Sequence, residues 1–375
     1  MPTILFLSHS ASHSGAPLLL KDIVSLLDKS KYHPVFIVDE DGPLVSEFRE
    51  MGQVYIDPVY PDEMKYWREI KRVNKRIQLL RRIHPDAVYC NTIKPAKWLF
   101  YTKLLRIPSI VHVHELSLGF ASLTPEERWL LKTFPDRMIA VSEAVKNFLI
   151  QEKGFDANKI DVVHAGIIPE KFSYNASRRT EIRQSLGIDD SIVIGTVGRI
   201  SNMKGFDIFI DIANRLKTET KGKPHFKFLV IGIKEDEEFY CKFIRNIERL
   251  GLQNDIILKE NVEDVALYYS AMDIYLSTAR EDPFPLVIME AMASGLPVIG
   301  FSVGGIPEAV TSDCGILVPL MDIQSVVDSL RNLANNEMRR TQMGEAGRKR
   351  VFEKFSLPRN VKQIEAVIDR VLNAK

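Results

Sequence analysis

Short apolar runs alternate along the chain with longer amphipathic ones. The apolar runs of the first half are 3–7, 35–38, 87–90, 110–113, 138–141 and 161–163; those of the second half are 192–197, 227–232, 255–258, 273–276, 297–300 and 316–318. Such runs, rich in Val and Ile and almost free of polar alternation, suit strands buried on both faces, as in parallel sheets sandwiched by helices. Helical spacing fills most of the intervals between them. The pattern predicts an α/β chain of two Rossmann-like, doubly wound domains, about six strands each, facing across a cleft. The polar stretch between 170 and 190 has no strand character and reads as a linker plus a short helix. The expected division is an N-terminal domain at 1–170, a linker at 171–190, a second domain at 191–357 and a C-terminal helix at 358–375. In that helix Val361, Ile364, Val367, Ile368 and Val371 form a stripe able to pack back on the N-terminal domain.

Ligands of parallel sheets bind beyond the carboxyl ends of the strands, so the residues that follow each run carry the chemistry. Gly198, Arg199, Lys204 and Gly205 follow the run at 192–197, and two cations there can converge on a phosphate, although an ordinary basic loop has the same composition. The spacing is not that of a P-loop. In SVGGIPEAV (302–310), two glycines precede a helix start at Ile306-Pro307, which reads either as an anion site or as a plain strand-to-helix turn. After the first strand, HSASHSGAP (9–17) offers Gly15 for close approach of a ligand, without the dinucleotide fingerprint. His112 and His114 share one face of an extended segment, but two histidines without a third ligand do not make a metal centre.

EDPFPLVIME (281–290) sets Glu281 and Asp282 at a loop stiffened by Pro283 and Pro285, then Glu290 about two turns into a predicted helix that stops at Gly295. Acids near a helix start also favour its dipole. That accounts for Glu281 and Asp282 better than for Glu290, whose carboxylate is suited to accept from vicinal hydroxyls.

In combination, GRISNMKGFD (198–207) and AREDPFPLVIMEAMASGLPVIGFSVGGIPE (279–308) resemble the retaining glycosyltransferases of family 4, also called group 1, which have the two-domain GT-B architecture. SGAP (14–17), IPSIVHVHE (107–115), AVSE (140–143) and VVHAGIIPEKF (162–172) extend the likeness to the first half. The resemblance implies transfer of a sugar from a nucleoside-diphosphate sugar, without a metal, to a glycan or lipid-linked saccharide with retained anomeric configuration. It assigns Arg199 and Lys204 to the donor diphosphate, Glu290 to the ribose and Asp282 to hydroxyls of the donor sugar. Backbone N–H groups of Phe284, Leu286 and Val287 would serve the sugar and phosphates, Gly15 would line the phosphate side, and His114 would sit near the reacting sugar. Asp282 stands where the family commonly has Glu, with Glu281 just before it, and Ala165 stands where Asn is frequent. A non-catalytic nucleotide-sugar binder and a nucleotide-sugar epimerase are the alternatives on the same architecture.

Composition narrows the partners. A formal charge of +1, from 50 basic and 49 acidic residues, argues against nucleic acid. Three scattered cysteines suit a reducing, cytoplasmic setting. One segment departs from this even balance: KYWREIKRVNKRIQLLRRIHP (65–85) is basic, with Trp67, Ile70, Val73, Ile77 and Leu80 at helical spacing. It reads as a domain helix or as a peripheral contact with anionic membrane through 65–82.

Overall fold

The computed structural model describes residues 1–57, 65–220 and 224–374, with side chains for all of these except 65–72. The chain forms two compact units, one of Met1–His164 with Leu357–Lys375 and the other of Ala165–Ser356.

The first unit is built on seven parallel strands: β1 (Thr3–Ser8), β2 (His33–Val38), β3 (Gln53–Ile56), β4 (Ala87–Cys90), β5 (Ser109–Val113), β6 (Arg137–Ala140) and β7 (Ile160–Val162), in the order β3-β2-β1-β4-β5-β6-β7. The second has six: β8 (Ile192–Ile200), β9 (Phe226–Lys234), β10 (Ile256–Glu260), β11 (Ile274–Ser277), β12 (Val298–Phe301) and β13 (Gly315–Val318), ordered β10-β9-β8-β11-β12-β13. In both sheets the strand order reverses beside the first strand, and the switch points β1/β4 and β8/β11 are where such sheets bind ligands.

All twelve predicted strands are present; β3 is the addition. It is a four-residue edge strand with no buried residue, and its apolar run is only the three residues Val54–Ile56. β8 runs on to Ile200 instead of ending at Val197. Its pairing with β9 continues through Arg199 opposite Ile233, so Arg199 sits on the strand and not in the loop after it.

The short helix expected in the linker segment is Ala176–Leu186, started by the Asn175 side chain on the Arg178 N–H and closed at Gly187. Arg179 donates to the carbonyls of Ser270 and Met272 and to Asp273, while Arg183 donates to the Ala271 carbonyl and to Asp273. The other Asp273 contact is the Val193 N–H, so one carboxylate ties two arginines to the start of β8.

In the first unit, the described part of the basic helix Lys65–Ile83 turns its stripe inward. Leu80 is buried and Val73 and Ile77 are half-buried; Trp67 and Ile70 lie outside the described side chains. Arg76 is buried too, paired with Asp57 and stacked 4.6 Å over the Trp98 ring. The helix Leu357–Asn373 buries Val361, Ile364, Val367, Ile368 and Val371. Its Glu365 accepts from the Asp28 N–H at 2.8 Å, and its Asp369 accepts from the Tyr32 hydroxyl at 2.7 Å. Among the described residues, no helix is long and apolar enough to cross a membrane.

Candidate functional site

In the second unit, the loops after β8 and β11 are laced together at the switch point. The Arg280 N–H donates to the Met203 carbonyl, the Thr278 hydroxyl donates to the Lys204 carbonyl, and the Arg280 guanidinium grips both oxygens of Asp207 at 2.8 and 2.6 Å. This places the Lys204 ammonium 2.6 Å from Asp282, whose carboxylate is buried. Two residues 78 positions apart in sequence are thus one ion pair. Arg199 points to a different acid: its guanidinium pairs with Glu235 on the loop after β9. The two cations therefore rest on two separate carboxylates.

The helix after this loop is Leu286–Ala293, with Pro285 at its N-cap and Gly295 just past its end. Glu290 lies one turn into it, not two, because the helix begins only at Leu286. The Glu290 Oε2 accepts from the Tyr269 hydroxyl at 2.9 Å, and that hydroxyl is also 3.0 Å from the Val287 carbonyl. Phe284 is buried, with its ring 5.4 Å from that of Phe355, so any ligand contact from it falls to the backbone. Leu286 and Val287 start the helix, where N–H groups lack intrahelical acceptors, and Glu281 is half-buried beside them.

Burial pushes the Glu290 carboxyl up from its ordinary 4.5 to about 7, against the counter-pull of the Tyr269 hydroxyl. Between those values the unfolded chain releases a proton that the folded chain keeps, so this group lowers stability as pH rises through the window. Glu290→Gln should therefore melt above the wild type at pH 8, each kcal/mol relieved being worth about 2–4 °C. The difference should vanish below pH 4.5, where both forms are neutral. A gap that does not change with pH would count against a raised pKa.

The paired glycines of SVGGIPE have a packing role. Gly304 has φ +52°, and a Cβ there would lie 2.0 Å from the Asp282 carbonyl oxygen; at Gly305 it would lie 2.3 Å from that of Pro283. The Gly305 N–H donates to the Asp282 carbonyl at 2.9 Å. Of the two expectations for this motif, the strand-to-helix turn accounts for Gly305, whose N–H is already used to hold the Asp282 loop.

In the first unit, polar residues gather where β1, β4 and β5 end. The His112 and His114 rings are 4.1 Å apart, and His112 Nδ1 is 2.5 Å from the Tyr89 hydroxyl. Among the described residues, the Nε2 atoms of both histidines and the Oδ1 of Asn91 are buried without a hydrogen-bond partner. Burial, then the nearby His9, pushes His114 down to about 3, so its imidazole is neutral near pH 7. Gly15 opens the helix Gly15–Leu26, and a Cβ there would meet nothing within 4 Å. Packing within the unit does not require this glycine, although glycine costs helix stability. Among the described residues no group of three or more His, Cys, Asp or Glu is placed to hold a metal ion.

Two family models cover most of the chain. Residues 14–171 match the model described as Glycosyltransferase Family 4, and residues 178–350 match Glycosyl transferases group 1. The chain belongs to the group 1 glycosyltransferases of family 4. Over 229 residues this family 4 chain is 31% identical to the capsular polysaccharide biosynthesis glycosyltransferase CapM of Staphylococcus aureus, covering 58% of the chain and 57% of CapM. It spans about half the length of the first curated relatives it matches. A longer match, 24% identical over 96% of the chain and 95% of the relative, is to the UDP-Gal:α-D-GlcNAc-diphosphoundecaprenol α-1,3-galactosyltransferase of Escherichia coli. The structure of Anabaena HepE in complex with UDP and glucose superimposes with a TM-score of 0.86, at 22% identity, covering 99% of the chain and all of HepE. That likeness shows the GT-B fold.

Within this family 4 chain, the structure brings Lys204 to Asp282 and joins Glu290 to Val287 through Tyr269. Arg199 goes to Glu235, and Gly15 and His114 lie in the first unit. Tyr269, Glu235 and Arg280 were not singled out from the sequence. Tyr269 sits in LYYSAMD (267–273) with no spacing to link it to Glu290, 21 positions on.

Proposed function

We propose that this chain transfers a sugar from a nucleoside-diphosphate sugar to a glycan or lipid-linked saccharide, with retention at the anomeric carbon, and that the second unit holds the donor. The observation that carries this reading is the Lys204–Asp282 pair beside the helix start that leads to Glu290. A cation, a buried acid, the N–H groups of a helix start and a carboxylate one turn on suit, in order, diphosphate, sugar hydroxyl, phosphate oxygen and ribose diol.

In the reaction, the bond from the anomeric carbon to the diphosphate oxygen breaks as the acceptor oxygen bonds on the same face. The acceptor's proton passes to the departing diphosphate. Lys204, with Arg199 once released from Glu235, stabilises the charge that develops on that leaving group. His114, neutral at working pH, contributes a hydrogen bond near the reacting sugar and does not take the proton. Glu281 borders the donor sugar alongside Asp282, and Phe284, Leu286 and Val287 contribute backbone donors. Gly15, where a Cβ would meet nothing within 4 Å, leaves its helix start open to close approach of a phosphate. The lipid-linked acceptor named in the Escherichia coli relative supports the acceptor class, and UDP with glucose in HepE makes UDP the first base to try. Free Cys90, Cys241 and Cys314 fit a cytoplasmic reaction. The exposed Arg81 and Arg82 would face anionic lipid in a peripheral contact.

Thermal unfolding with UDP, GDP, ADP and CMP at equal millimolar concentration tests the donor site. A nucleotide at 100 times its Kd stabilises by about 2.7 kcal/mol, so one of the diphosphates should raise the melting point, and Glu290→Ala should abolish the rise. No shift with any of the four would remove the reading.

A further inference from the structure

A glutamate that accepts from a ribose diol must hold its carboxylate in one place, yet a free Glu side chain has three rotatable bonds and loses entropy when ordered. Glu290 is ordered by a contact within its own unit. Its Oε2 is engaged by the Tyr269 hydroxyl, while Oε1 makes no hydrogen bond among the described residues. That hydroxyl has one proton and two acceptors in reach, Oε2 at 2.9 Å and the Val287 carbonyl at 3.0 Å. With Glu290 ionised, the carboxylate is the stronger acceptor.

Tyr269 is itself fixed. It is fully buried, with the rings of Phe172 and Tyr275 at 6.0 and 6.1 Å. Its helix, Val265–Ala271, has an Asp264 side-chain cap at one end. At the other end, the carbonyls of Ser270, Ala271 and Met272 are held by Arg179 and Arg183. A phenylalanine would fill the same space; only the hydroxyl reaches Glu290.

We propose that Tyr269 is a positioning residue for donor recognition: its hydroxyl holds one carboxylate oxygen of Glu290 so that the other meets the ribose hydroxyls of a nucleoside diphosphate. This rests on the donor-site reading above. It predicts an effect confined to the ribose, since Tyr269 neither touches the base nor supplies charge to the phosphates.

The test is calorimetric titration of wild type, Tyr269→Phe and Glu290→Gln with UDP, GDP and ADP, each beside its 2′,3′-dideoxy analogue. The wild type should prefer the ribonucleotide about 10-fold, the scale of one or two hydrogen bonds to a charged group. In Tyr269→Phe the preference should fall to about 2-fold, with affinity for the dideoxy analogue unchanged. A wild-type preference that survives in Tyr269→Phe but is lost in Glu290→Gln would overturn the role of Tyr269 and leave the donor site standing. Equal weakening of both nucleotides in Tyr269→Phe would mean that the hydroxyl only supports the fold, which also overturns it. A wild type that binds the ribonucleotide but shows no preference would remove the ribose contact, and with it the proposal. Binding of none of the six would remove the donor site as a whole.

Discussion

Lys204→Ala should lower kcat about 100-fold or more, the loss seen when a group stabilising transition-state charge is removed. The donor's KM should change less, because the charge that Lys204 meets is largest once the diphosphate is leaving. The substitution also strands Asp282, a buried carboxylate whose ammonium partner is 2.6 Å away. A loss of folding could thus imitate a loss of chemistry. Lys204→Ala combined with Asp282→Asn, read against Asp282→Asn alone, separates the two: neutralising the stranded acid should restore the melting point while turnover stays far below that of Asp282→Asn. Near-wild-type kcat in the single variant would end the assignment. Recovery of turnover in the double variant would mean that Lys204 serves only to neutralise Asp282.

Asp273→Ala should destabilise the second unit by about 3–5 kcal/mol, the usual cost of leaving a buried charge without its partner. Arg183 has a side chain only 8% exposed and Arg179 one 24% exposed, and both pair with Asp273. The same carboxylate accepts from the Val193 N–H at 2.8 Å, so its removal also leaves the start of β8 short of an acceptor. At about 2–4 °C per kcal/mol, the melting point should fall by roughly 10 °C. Arg183 also donates to the carbonyls of Ala271, Ile188 and Asp189. If those suffice, urea unfolding will show a loss of less than about 1 kcal/mol, and the carboxylate is not the centre of this knot.

What could be read in the sequence follows from range. Strands buried on both faces announce themselves locally, and twelve of thirteen did so. β3 is the exception, an exposed edge strand whose apolar run is only Val54–Ile56. The likeness carried by GRISNMKGFD and EDPFPLVIME led to Lys204, Asp282 and Glu290 because the residues stand in a fixed local order. Their partners were invisible for the opposite reason. Glu235 lies 36 positions from Arg199, and Tyr269 meets Glu290, 21 positions on, through its hydroxyl. The segment at 171–190 reads as a linker with a short helix because it is polar and lacks strand character. Arg179 and Arg183 point into the unit, and side-chain direction cannot be read from a lone helix of such low amphipathicity. The glycine pair at 304–305 was ambiguous until the Asp282 carbonyl stood against it.

The division of the chain has a consequence for its synthesis. Met1–His164 leaves the ribosome first, yet its unit also includes the helix Leu357–Asn373, made only after all of Ala165–Ser356. Until that helix emerges, Tyr32 and the Asp28 N–H lack Asp369 and Glu365, and the apolar surface that will receive Val361, Ile364 and Val367 stays open to water. The unit translated first is therefore the one completed last, and during the intervening 192 residues its uncovered face is a surface for chaperones to hold.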